Sequence, residues 1–484
     1  MSHEWDVVVV GGGNAGFCAA QSARERGARV LVLEKAPREW AGGNSYFTAG
    51  AMRTVHGGLD DVAGLVEPFD AGCVDLDPYS EQDFLGDLDR VTGGRCDRGL
   101  AEILVSESRQ SLSWLKQLGL RFELMFHRQA YEVDGRFRFW GGLAVGVLGG
   151  GKGLVADHLT AAAAHGVTVR FDAHVREVLT GQDGGVEGVV LAGGERIRAA
   201  AVILACGGFE ANPAMRSAYL GPGWDLAAVR GTPYNTGDGI TMALGVGAQP
   251  FGHFSGCHSV AWDAGARPVG DRDLTNQLTR GGYPFGIVIN ADGERFVDEG
   301  ADFRNYTYAK YGAEILKQPG GWAVQVFDAK TTPLLRPEEY AAPGATKIEA
   351  DTIEGLAKAL RIDETRLART VEEFNRAVTR ERFNPTVKDG KRAEGVRPVK
   401  SNWAQALDTP PFVAFPVGCG ITFTFGGLRI DEAGAVLDTA GRRIAGLFAA
   451  GELVGGLFYF NYPGGSGLTS GTVFGRRAGR NACA

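Results

Sequence analysis

The chain has 484 residues, of which 44% are apolar and 22% charged, with a net charge of −7; a length of this order divides into two cores rather than one. No apolar run reaches the roughly 18 residues that cross a bilayer, and no basic block offers a footprint for nucleic acid. The seven cysteines form no C-x-x-C and no Cys/His cluster, which argues against structural zinc and an attached c-type haem. The 73 glycines follow no period and fall between apolar runs, where backbone turns sharply or nears a ligand. No charged and apolar leader precedes the first strand, so the expectation is a cytoplasmic protein, and the scattered cysteines add the expectation of no metal.

In chain order, residues 6–10 are a β-branched run that predicts a short buried parallel strand. A glycine cluster follows, then an alanine-rich helix over 17–26, a stop at Gly27 and a second strand over 28–34. This is a βαβ unit of about the usual thirty residues. Helices are predicted over 99–118 and 153–165, a strand over 167–171, and hairpin strands over 174–193 and 196–204 that run into Gly207-Gly208. Between about 245 and 395 the texture turns polar and aromatic, with helices over 353–360 and 364–380. After Pro410-Pro411 the strand-and-glycine texture returns, and a last apolar run, Ala445 to Ala450, closes on Gly451-Glu452. The fold class is α/β.

Gly11-Gly12-Gly13-Asn14-Ala15-Gly16 matches G-x-G-x-x-G, between a strand and a helix, and Glu34 ends the next strand. The glycines let backbone approach a pyrophosphate at the helix N-terminus, where free N–H groups and the dipole favour negative charge. Glu34 suits a ribose hydroxyl and repels a 2′-phosphate; Lys35 adjoins it. This unit alone would take either NAD or FAD.

Further glycine elements separate the two: Gly42-Gly43-Asn44-Ser45 early on, and Gly451-Glu452 with Ser466-Gly467-Leu468-Thr469-Ser470-Gly471 near the end. With Ala36 to Trp40 before the first element and Gly455 to Gly465 between the last two, they carry a resemblance that covers nearly the whole chain. The sequence resembles the fumarate reductase/succinate dehydrogenase flavoprotein superfamily, which includes 3-ketosteroid dehydrogenases, and within it the tricarballylate dehydrogenase-like branch. The resemblance implies a discontinuous Rossmann-like FAD-binding domain, 1–245 with 396–484, and an inserted α+β capping domain, 246–395. It implies cofactor contacts from Gly207 and Asp238, and a ribityl contact from Glu452. Some members attach FAD through a histidine near the Gly-Gly element; Asn44 stands there, so non-covalent FAD is expected.

Dehydrogenation beside a carbonyl requires loss of an α-proton and of a β-hydride, and hence an acid–base group and donors for an enolate-like state. Arg304 falls where the family places its proton-transfer arginine, with Glu299 and Asp302 as tuning or relay carboxylates, and His258 near a carboxylate-binding histidine. Asn276 and Gln277, followed by Arg280, stand where fumarate reductases carry a Thr-Glu pair. Tyr462 replaces the arginine that clamps a substrate carboxylate in fumarate reductases, and matches a ketosteroid dehydrogenase tyrosine that contacts a ketone; Phe423 replaces a second histidine. The expected activity is FAD-dependent desaturation of a small carboxylic acid or ketone, either a tricarballylate-like polycarboxylate or a cyclic keto acid such as 4-oxocyclohexanecarboxylate. The electron acceptor is left open among oxygen, a quinone and a redox protein. The alternatives are an enoate reductase, a 3-ketosteroid-type dehydrogenase, and a flavin-binding electron-transfer subunit.

Overall fold

A computed structural model describes residues 4–483. Its first sheet is centred on the strand Trp5–Val10, flanked in parallel by Val30–Leu33 and Arg196–Leu204. Thr168–Arg170 extends it on one side and Arg443–Ala449 on the other, both parallel. Val7, Val8 and Val9 are fully buried, as a strand covered on both faces requires. The hairpin strands Val175–Thr180 and Val186–Leu191 lead antiparallel into Arg196–Leu204. The strands and helices expected from 6 to 204 therefore form, with ends displaced by a few residues: the first helix runs Asn14–Arg24 and the sixth Gly150–Ala164.

The two ends of the chain meet through small residues. The helix Asn14–Arg24 lies against the last helix, Ser466–Asn481, with Gly471, Gly475 and Gly479 facing Ala15, Cys18 and Ala19. A Cβ added at Gly475 would stand 2.5 Å from the carbonyl oxygen of Ala15, and one at Gly479 2.1 Å from that of Ala19. Backbone, not a flexible side chain, fills the space. Helix propensity alone would make Gly479→Ala stabilising by about 1 kcal/mol. We expect the opposite, a loss of about 1–3 kcal/mol from overpacking, read as a lower denaturant midpoint. A raised midpoint would show that the helices can separate freely.

The second sheet is built around one strand of 17 residues, Phe412–Leu428. Pro250–Asp263, Ala323–Phe327 and Ile348–Ala350 pair with it antiparallel, Ala228–Val229 pairs parallel, and Ile287–Asn290 pairs with Ala323–Phe327. Helices Ile353–Leu360 and Glu364–Ala377 cover this sheet through Leu356, Leu367, Val371 and Phe374. The sheet thus takes strands from outside 246–395, because Phe412–Leu428 and Ala228–Val229 both belong to it. A small hairpin, Ala130–Val133 with Arg136–Phe139, follows the short helix Phe126–Gln129, a segment the sequence left unread. Among the described residues no helix is long and apolar enough to cross a membrane.

Candidate functional site

One continuous cleft runs from the Gly11 loop to the second sheet. At its first end Gly11 adopts a φ of +108°, and a Cβ there would lie 2.4 Å from the Ala205 carbonyl oxygen, so only glycine turns the chain at this point. Gly11, Gly13, Asn14 and Ala15 line the cleft at the start of the first helix. Gly16 does not; a Cβ there would meet the Gly11 carbonyl oxygen at 2.0 Å, so its role is close packing of helix on strand. The Asn14 side chain is used within the protein: its amide nitrogen donates to Leu468 O (2.9 Å) and Thr472 Oγ1 (3.1 Å), tying the chain ends together.

Glu34 is buried and faces the cleft. Its carboxylate accepts from the Gly12 N–H at 2.7 Å and the Ala36 N–H at 2.8 Å. Burial pushes its pKa up, against those hydrogen bonds. Lys35 lies alongside, ion-paired to Asp238 at 2.7 Å, with His174 3.2 Å from the same carboxylate. Asp238 therefore lines the Glu34–Lys35 end of the cleft as an ion-paired carboxylate.

Gly43, Asn44, Ser45, Gly207, Glu452, Gly467 and Leu468 line the middle of the cleft. Ser45 Oγ accepts from the Asn14 N–H at 3.0 Å, joining the two glycine elements. The Asn44 side chain is fully used: its nitrogen donates to Glu210 (2.6 Å) and Thr422 O (2.5 Å), and its oxygen accepts from Thr232 N. Gly42 and Ser466 lie outside the lining. A Cβ at Gly42 would meet Val155 at 2.4 Å, and the Ser466 hydroxyl donates to Pro463 O at 2.6 Å. Both shape the walls. A glycine-walled cradle, a helix N-terminus and a buried carboxylate at one end fit FAD.

At the far end the cleft is lined by Arg128, Arg230, His258, Arg304, Tyr308 and Tyr462. His258 stands at an irregularity in the register between Pro250–Asp263 and Phe412–Leu428, where a bulge re-aims side chains. The rings of Tyr308, Tyr462 and Phe423 surround it at 4.8, 5.0 and 5.3 Å. Neither imidazole nitrogen has a partner among the described residues. Burial, helped by the charge of Arg230, holds its pKa well below 6.5, so the ring is neutral. The Tyr308 and Tyr462 hydroxyls hydrogen-bond to one another, and burial raises both phenols.

Arg304 begins a short 3-10 turn and enters the cleft from the second sheet's side. It donates through Nη2 to Arg128 O at 2.5 Å and lies 4.0 Å from Glu339, while its Nε has no partner among the described residues. Burial lowers its pKa. The structure does not bring Glu299 here. That carboxylate is fully buried elsewhere, held by Arg295 at 2.5 Å and by the Val288 N–H at 2.8 Å. Asp302 is directed to Arg90 and Lys388, and Arg280 is ion-paired with Asp263 at 2.6 Å. The carboxylate beside Arg304 is instead Glu339, which also binds Arg128 (2.9 Å) and Arg336 (3.2 Å).

Sequence reasoning missed Arg128, Arg230, Tyr308 and Glu339. Arg230 had a signal: it is a single charge between the strand Ala228–Val229 and the turn at Asn235–Asp238. It is buried, donating to Thr279 Oγ1 (3.1 Å) and Thr422 Oγ1 (2.7 Å), and among the described residues it forms no ion pair.

The FAD binding domain family matches residues 6–468. A probable fumarate reductase of Shewanella frigidimarina is 31% identical, over 99% of this chain and 75% of that protein. The 4-oxocyclohexanecarboxylate 2-dehydrogenase of Sinomonas cyclohexanicum is 30% identical, over 98% of this chain and 92% of that protein. Among solved structures, the open conformation of a flavocytochrome c3 fumarate reductase superposes with a TM-score of 0.74 at 28% identity, covering 100% of this chain and 78% of that one. A 3-ketosteroid delta1-dehydrogenase from Sterolibacterium denitrificans, 22% identical with a TM-score of 0.75 over 99% of both chains, shares the fold. The chain therefore belongs to the FAD-binding domain family and is an FAD-dependent oxidoreductase, similar over nearly its whole length to a fumarate reductase and to a 4-oxocyclohexanecarboxylate dehydrogenase.

Proposed function

We propose that the enzyme removes hydrogen across a carbon–carbon single bond of a small acid that carries a carboxylate and a second carbonyl group, either a ketone or another carboxylate. The observation that carries this reading is Arg230. It is a buried guanidinium facing the cleft without a counter-ion among the described residues. Burying an unpaired charge is costly, and an anionic ligand is the natural compensation. Arg230 thus takes over the clamp that Tyr462 gave up, and Tyr462 is free to act differently.

The Tyr308–Tyr462 hydroxyl pair and the neutral His258 lie next to Arg230 and offer hydrogen bonds to the second carbonyl. Such donors stabilise negative charge that develops on oxygen as an α-proton leaves. Arg304 is the proton-transfer group. Burial lowers its pKa, so that once it has given one proton to solvent the neutral guanidine nitrogen accepts the α-proton, and the oxygens of Glu339 and Arg128 hold the guanidinium that results. Bound FAD supplies the hydride acceptor. The residues that would hold it are the Gly11–Gly13 loop, Glu34, Gly43 to Ser45, Gly207, Glu452 and Leu468. With Asn44 occupied by three protein partners, we read the attachment as non-covalent. Residues 246–395, sharing the strand 412–428, act as the cap over the substrate.

The same residues serve the reverse reaction, reduction of an enoate, and the likeness to a fumarate reductase favours keeping that reading second. Anaerobic mixing separates the two. We expect the oxidised flavin to be bleached by a cyclic keto acid or a polycarboxylate. If no such acid bleaches it while an enoate reoxidises the reduced enzyme, the physiological direction is reduction.

A further inference from the structure

Glu210 follows the Gly207-Gly208 turn and is fully buried. Its Oε1 accepts from the side-chain nitrogens of Asn44 and Asn235, each at 2.6 Å. Among the described residues its Oε2 meets no N–H or O–H donor. Opposite it stands the carboxyl of Glu452, near enough for the two to hydrogen-bond. Glu452 in turn accepts from the Thr424 N–H at 2.7 Å and Thr424 Oγ1 at 3.2 Å. A Cβ at Gly208 would lie 2.1 Å from Glu452 Oε1, so this glycine makes room for the pair. Asn44, Asn235 and Glu452 all line the cleft, between the Gly11 loop and the Tyr462 end.

A carboxyl–carboxyl hydrogen bond exists only if one of the two carries a proton, because ionised carboxylates have no donor. Two adjacent buried carboxyls do not both ionise at neutral pH. Among the described residues no lysine, arginine or histidine forms an ion pair with either one. The charged or titratable neighbours are Arg216, which donates to the backbone oxygen of Glu210 at 2.6 Å, and the buried thiol of Cys257. Burial raises both carboxyls, Glu452 to about 7, and the neighbouring Glu452 carboxylate adds to the rise at Glu210. The pair thus holds one proton and stands ready for a second.

We propose that Glu210 and Glu452 form a redox-linked proton store beside the flavin, taking up one proton when the flavin is reduced and releasing it on reoxidation. The balance is simple. The substrate gives a hydride to the flavin and a proton to the acid–base group, which leaves one extra negative charge on the flavin. That charge favours the protonated pair, which draws one proton from water. Reoxidation removes the charge and returns the proton to water. The hydride and the substrate proton follow the same route whether or not the pair titrates, so the pair acts on the flavin's potential and positioning, not on the substrate.

The test is the midpoint potential of the FAD-loaded enzyme against pH. Each proton taken up per two electrons shifts it by about 30 mV per pH unit. Across neutral pH we expect the slope of the natural enzyme to exceed that of the double variant Glu210→Gln, Glu452→Gln by about one proton, about 30 mV per pH unit. Equal slopes would overturn the proposal. If the variant does not retain flavin, the infrared difference spectrum of the natural enzyme decides instead. A protonated-carboxyl band must grow on reduction, and its absence sinks the idea. Because flavin content is read directly from the visible spectrum, failure of the store is distinguishable from failure of FAD binding.

Discussion

Arg304→Ala is expected to cut kcat by about a thousandfold, about 4 kcal/mol, while the protein keeps its flavin. Proton transfer by a positioned side chain contributes on this scale, and Arg304 reaches the cleft without touching the cradle residues at the Gly11 end. Its geometry also predicts a graded series. Arg304→Lys keeps a positive charge and a transferable proton. A lysine is a compact point charge, however, and cannot hold both Arg128 O and Glu339 as the fork does. It should recover part of kcat, with the pH profile moved toward lower pH, because an ammonium loses its proton more readily than a guanidinium. If Arg304→Ala turns over at near-normal rate, the proton passes instead to the Tyr308–Tyr462 pair, and the arginine serves only to position Arg128.

What sequence reasoning reached and what it missed follow from how local each feature is. The βαβ unit, its glycine loop and Glu34 lie within one short segment, and each is constrained by its immediate neighbours. Strand, turn and carboxylate therefore fall where expected. Arg304, His258 and Tyr462 also reach the cleft, because motif spacing places them on elements whose ends are well defined. Glu299 stays away from the cleft for a readable reason. It lies four residues after Arg295, and the two close on each other as a fully buried pair. Glu339 performs the charge-balancing role beside Arg304, but it comes from the four-residue helix Pro337–Tyr340, which has no periodic pattern to betray it. Arg128 arrives on the short helix Phe126–Gln129 ahead of a small hairpin, where no glycine motif marks a site. The second sheet also reaches past residue 395. Phe412–Leu428 is one strand of the second sheet, yet its last residues, Thr422 to Phe425, line the cleft. A single strand serving both regions cannot be divided by texture.

Replacing Arg230 by methionine should separate binding from stability. A buried charge held by two threonine hydroxyls and the face of Trp262, with no ion pair among the described residues, costs the ligand-free fold, and an apolar side chain of similar length removes that cost. The thermal midpoint of the ligand-free holoenzyme should hold or rise. Substrate binding should suffer, because the carboxylate loses its charge-assisted hydrogen bonds in a water-poor site. We expect KM for the acid to rise about 100-fold, about 2.7 kcal/mol, with kcat changed far less, since the clamp holds ground state and transition state alike. The corresponding neutral ketone or ester should bind the variant as well as it binds the natural enzyme. The opposite pattern, a falling midpoint with KM unmoved, would mean that Thr279 and Thr422 are the true partners of Arg230. Its charge would then be structural, and the substrate need not be an acid. The two readings thus give opposite signs in one variant, and stability of the ligand-free protein discriminates between them before the substrate is known.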